Sequence, residues 1–145
     1  MKKLFTLLAL TMSFSMNAQM SDYSEGTSAT GSNAVAMGKS TTASGSRSTA
    51  MGGDSTASGD FSVAMGRGTT ASGTNSTAMG SGTIASGNNS SAMGYYTTAS
   101  GHKTTAMGAN TTASDYASLV IGQFNSSGSS VTNNATSYNL SLIHI

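Results

Sequence analysis

The chain has 145 residues, 37% apolar and only 8% charged, with a formal net charge of +1, ten methionines, four phenylalanines, five tyrosines and no tryptophan, proline or cysteine. That length suits one domain, but the scarcity of large side chains excludes a conventional core, and the lack of cysteine excludes a disulfide framework, a thiolate metal site and a lipid-modified cysteine. No basic run exists that could neutralise phosphates, so no nucleic-acid partner is expected.

The first residues, MKKLFTLLALTMSFSMNAQ, place Lys2 and Lys3 before an apolar stretch from Leu4 to about Phe14, then small and polar residues. This is the layout of a secretory signal peptide over residues 1–18, with cleavage expected after Ala18. The apolar run is too short to span a bilayer. The protein is therefore expected to be exported, with no membrane span in this sequence. Loss of Lys2 and Lys3 leaves Lys39, Arg47, Arg67 and Lys103 against Asp22, Glu25, Asp54, Asp60 and Asp115. Residues 19–24 read as a short leader before the repeats.

From residue 25 to residue 122 the chain divides into fourteen units of seven. Each unit reads as two variable residues, Ser/Thr, a variable residue, Ala, Met or Ser, then Gly. Ala holds the fifth slot in thirteen units (Val120 is the exception), Gly the seventh in thirteen (Asp115), and Ser/Thr the third in thirteen (Ala34). A coiled coil is excluded, because one glycine per heptad costs roughly 1 kcal/mol each in a helix and no second apolar seam position exists. Short Ser/Thr/Val-Ala stretches punctuated by glycine predict strands of about four to five residues joined by tight turns. The recurring glycine is expected to supply φ > 0, a region that Asp115 also tolerates. Two units then close one coil of an all-β, single-stranded parallel β-solenoid with 14 residues per coil and about seven coils.

The strand period of two sets slots three and five on one face and slots four and six on the other. The first pair is small throughout, so it is expected to face the interior, with its hydroxyls bonded to backbone groups at the turns. Slot six then points outward. In alternate units it carries Met37, Met51, Met65, Met79, Met93, Met107 and finally Ile121; in the others it carries serine beside a slot-four Thr, with Ile84 interrupting the threonines. Methionine directed into the coil instead would require a bulge in each strand. At about 4.8 Å per coil the rod is roughly 30–35 Å long. A continuous outward row of methionine is an exposed apolar patch, and such patches mark interfaces. Self-association through these seven residues is expected.

The stretches NAVAMGKSTTASG (Asn33–Gly45), FSVAMG (Phe61–Gly66) and SLVIGQ (Ser118–Gln123) resemble the head repeats of trimeric autotransporter adhesins of the YadA type. The resemblance implies a left-handed parallel β-roll and a homotrimer with the slot-six residue near the threefold axis. It implies an adhesin head at the cell surface or outer membrane, or released extracellularly, that attaches to a host matrix or cell-surface ligand. Methionine stands where that family usually has isoleucine, which implies a less tightly specified trimer. Neither the family's coiled-coil stalk nor its membrane-anchor barrel occurs in these residues. Similar repeats also occur in phage-type tail fibres and in secreted proteins ending in a self-cleaving chaperone domain. A structural spacer in such a fibre is therefore the alternative function. Ice binding by the Thr/Ser ladder from Thr42 to Ser114 is a minor one.

Beyond Gly122 the register fades into a polar exit segment, residues 123–139. The last six residues, LSLIHI, resemble the translation of a transposon-end adapter used in sequencing libraries and are expected to be foreign to the protein. Catalytic chemistry finds no support. His102 occupies a variable turn slot with no partner in register, so no metal or cofactor site is expected, and no serine has a plausible base. The stretch GGDSTASGD (Gly52–Asp60) resembles calcium-binding nonapeptides, but its Asp does not recur from coil to coil. The chain is not expected to be an enzyme. The variable turn residues Lys39, Arg47, Asp54, Phe61, Arg67, Tyr95, Tyr96, His102 and Lys103 line the edges where a ligand would be read.

Overall fold

The computed structural model describes residues 20–21 and 26–127. The expected signal peptide, most of the exit segment and the terminal hexapeptide lie outside the described residues. Strands alternate in length. The long ones are β3 (Val35–Lys39), β5 (Thr49–Gly53), β7 (Val63–Arg67), β9 (Thr77–Ser81), β11 (Ser91–Tyr95), β13 (Thr105–Ala109) and β15 (Leu119–Gln123). Between them run two-residue strands: β2 (Ser28–Ala29), β4 (Thr42–Ala43), β6 (Thr56–Ala57), β8 (Thr70–Ala71), β10 (Ile84–Ala85), β12 (Thr98–Ala99) and β14 (Thr112–Ala113). The methionine-bearing units thus form the strands of expected length, whereas the Thr/Ser units pair over two residues only. A further short strand, β1 (Met20–Ser21), pairs with β3, so the sheet reaches into the leader segment.

All pairing is parallel, and consecutive repeats meet at an offset of 14 residues. Ala50 faces Ala36 and Ala64, Met51 faces Met37 and Met65, and Gly52 faces Gly38 and Gly66. The result is a β-solenoid of about seven turns with two sheets. One holds the long strands and β1; the other holds the short strands. Corner backbones also stack. The N–H of Arg47 donates to Ser32 O at 2.7 Å, and that of Asp54 donates to Lys39 O at 2.9 Å on the opposite edge. Equivalent bonds recur in the coils that follow. Each coil is therefore tied to its neighbours at both sheets and both corners, which offsets the weak drive from so thin an interior.

The interior is what the small slots predict. Thirteen alanines are fully buried and Val120 nearly so, and the largest fully buried side chains are threonines. The hydroxyls behave differently from expectation. Ser55 Oγ lies 3.0 Å from Gly66 O and accepts from Thr69 Oγ1 at 2.9 Å, and Thr104 Oγ1 donates to Gly101 O at 2.8 Å. Nine others, including Ser62, Ser76, Thr83 and Thr97, find no partner among the described residues. Opposite stability effects follow. Thr83→Val keeps the shape and removes an unpaired group, so a gain of about 1 kcal/mol is expected. Ser55→Ala strands the Thr69 hydroxyl and is expected to lose about 1–2 kcal/mol. Urea midpoints measure both; equal shifts of one sign would contradict the assignment.

The glycines serve two purposes rather than one. Gly52 combines φ +113° with a site where an added Cβ would lie 2.0 Å from Gly66 O. Gly45 lacks the positive φ, yet a Cβ there would lie 2.0 Å from Gly59 O. In the Thr/Ser units the glycine is thus a matter of close approach, not of left-handed backbone. The left-handed residue of each corner is slot two, which holds Arg47, Phe61 and Lys103 at φ +56° to +59° on one edge and Asp54 and Tyr96 at +54° and +50° on the other. Asp115 does not carry the positive φ; its neighbour Ala117 does, at +56°. Asp115 instead puts a Cβ where earlier coils have none. Beyond it the Ser127 side chain replaces a carbonyl, with Oγ accepting from Ser114 N at 2.7 Å and Asp115 N at 3.1 Å.

Candidate interaction face

Because Ala and Met occupy adjacent positions of one strand, burying Ala50, Ala64 and Ala78 turns Met51, Met65 and Met79 outward. The structure places every methionine of the expected stripe on that outer face. Met37, Met79 and Met107 are 36–38% exposed and Ile121 57%. Met51, Met65 and Met93 are half-buried between their neighbours. The seven residues form one column, paired strand to strand from Met37 to Ile121. Beside it runs a slot-four column, Val35, Thr49, Val63, Thr77, Ser91, Thr105 and Leu119.

No charged residue stands in either column. Between Ser32 and Gln123 the charges lie in corner slots one and two, except Asp115 at a corner glycine position. An uncharged strip about seven strands tall, with an apolar methionine column beside a mixed aliphatic and hydroxyl one, is thus bordered by two edges that carry the charges. The short-strand sheet presents the opposite chemistry, with Ser58, Ser72 and Ser86 exposed, Thr56 and Thr70 half-buried, and Ile84 42% exposed.

The edges carry contacts that the seven-residue pattern alone did not disclose. The Arg47 guanidinium sits 5.1 Å from the centroid of Phe61. Lys103 Nζ sits 5.4 Å from that of Tyr116 and donates to Tyr116 Oη at 3.0 Å, which holds the ammonium above its ordinary pKa. Asp60 Oδ1 accepts from Ser46 N at 2.9 Å. Tyr95 and Tyr96 meet edge to face at 4.5 Å, and the Tyr96 ring covers Gly82, where a Cβ would lie 2.8 Å from it. The signal was available. Residues 14 apart, such as Arg47 and Phe61, must be stacked neighbours once the period is known.

Among the described residues no group of three His, Cys, Asp or Glu is placed to hold a metal ion, and no helix is long and apolar enough to cross a membrane. The family model of the YadA head domain repeat, which spans two copies, matches residues 29–55, 43–69, 71–97 and 99–125. The starting residues of these matches lie 14, 28 and 28 apart, the coil period and its double. No curated protein matches the chain.

Proposed function

The chain belongs to the YadA head repeat family, and on that premise we propose that it is the head of an exported adhesin, assembled as a homotrimer along the methionine column. The carrying observation is the uncharged outward strip that ends in Leu119 and Ile121, each 57% exposed in the single chain. A strip of this kind is stabilised when identical copies cover it, and closed rotational symmetry lets each copy present the same residues. Residues 1–18 direct export in this reading, and the corner residues of the edges meet the host matrix or cell-surface ligand.

Two measurements test the proposal. Sedimentation equilibrium of the purified protein is expected to return three chains per particle. Particles immobilised on beads are expected to retain a matrix protein or host cells above the level of an unrelated β-solenoid. A monomer overturns the assembly. A trimer with no retention across matrix proteins and host cells overturns adhesion and favours the fibre spacer.

A further inference from the structure

We propose that the methionine column is a binding site for a soft monovalent metal ion of the Cu(I) class, held between thioether sulfurs of methionines on neighbouring strands. The starting observation is a choice of residue. Ile121 occupies the same slot and strand position as the six methionines, so the fold accepts a β-branched side chain there. Isoleucine suits a strand better than methionine does and loses less conformational freedom on burial. What methionine adds is a polarisable sulfur.

The spacing fits that sulfur chemistry. Met37, Met51, Met65, Met79, Met93 and Met107 lie in direct register on consecutive parallel strands. Neighbouring rungs are ~4.8 Å apart, so two sulfurs that keep the strand spacing would place an ion midway at ~2.4 Å from each. That is close to the metal–sulfur length of about 2.3 Å known for zinc thiolates. Three rotatable bonds let each side chain bring its sulfur to that point. The strip holds no carboxylate and no imidazole, because the carboxylates and His102 stand at the corners; its side-chain oxygens are the neutral hydroxyls of Thr49, Thr77, Ser91 and Thr105 in the adjacent column, and soft thioethers select Cu(I) over oxygen-seeking ions. Neutral ligands on an apolar face leave the ion's charge uncompensated, which disfavours divalent ions. The inference uses the face assigned above to self-association but needs only one chain. Coverage by sister copies would exclude water and competing oxygen donors.

Silver(I), an air-stable probe of the same class, is titrated calorimetrically into the purified full chain in chloride-free buffer. Saturable uptake of about three ions per chain is expected from six methionines taken in adjacent pairs. The ε-methyl resonances of stripe methionines are expected to shift. Met65→Ile is expected to lower the stoichiometry by about one, and replacing all six by isoleucine to weaken uptake at least tenfold while circular dichroism stays unchanged. Should the sixfold variant not fold, the single variant and the methyl shifts decide. Non-saturable uptake, uptake unchanged by Met65→Ile, or uptake abolished by His102→Gln overturns the site. Masses measured on the metal-free samples separate the two readings: a monomer that takes the ions overturns only the assembly, and a trimer that takes none overturns only the metal site.

Discussion

Gly66→Ala is expected to prevent the roll from forming. The backbone at Gly66 has φ +128°, and an added Cβ would lie 1.9 Å from Gly80 O and 2.9 Å from its carbonyl carbon. Neither partner is a flexible side-chain end; both belong to the next coil's backbone. The coil spacing is fixed on either side by Met65 against Met79 and Arg67 against Ser81, so the clash cannot be relieved by a side-chain rotation. Backbone strain of about 1–3 kcal/mol adds to the steric cost, for a total of roughly 3–5 kcal/mol. A thin alanine interior holds little stability in reserve. Gly53→Ala is the control. Gly53 has no positive φ and nothing within 4 Å of an added Cβ, so the substitution is expected to be neutral or to stabilise by about 0.5–1 kcal/mol. Circular dichroism and urea midpoints of the two variants check the pair. A folded Gly66→Ala roll would mean that coils do not approach at that corner as closely as described.

The second large effect concerns assembly rather than folding. Met65→Asp is expected to yield folded single chains in place of the proposed trimers. Met65 is the third of seven residues in its column, half-buried, with Met51 and Met79 on adjacent strands. Full burial of one methionine is worth about 1.5–3 kcal/mol, and a threefold assembly multiplies that by the number of copies. An aspartate there would have to be desolvated beside its own symmetry mates without a cation, since the columns hold none, and like charges repel at short range. The side chain points away from the coil interior, so the roll itself is expected to keep its strand signal. Met65→Ile is expected to preserve the assembly, as Ile121 shares the slot. Sedimentation velocity with circular dichroism separates the outcomes, and a trimer that survives Met65→Asp would refute the column as the interface.

Both variants rest on positions legible in the sequence itself. The orientation of Met65 follows from its adjacency to Ala64 in a strand of period two, and the lateral order follows from a period of 14. Other features are not legible there for a common reason: sequence periodicity reports which residue recurs, not why. Gly45 and Gly52 recur alike, yet one is set by a neighbouring carbonyl and the other by its dihedral as well. Phe61, Tyr96 and Lys103 occupy left-handed corners against their intrinsic preference, because corner ladders such as Phe61 N to Ser46 O hold the backbone there. The short Thr/Ser strands were expected to match the long ones, since both carry Ser/Thr and Ala at equivalent slots. The pairing of the buried hydroxyls is not legible either, because residue type alone does not place a carbonyl within reach: Ser55 finds Gly66 O, whereas Ser62 and Ser76 find no partner among the described residues.

Because alanine meets alanine, methionine meets methionine and glycine meets glycine at successive rungs, excising or duplicating one whole coil leaves every interior junction chemically as it was. Length is then a quantity that genetic slippage can dial in increments of ~4.8 Å, lengthening or shortening the reach of the rod while its ends and its folding rules stay the same.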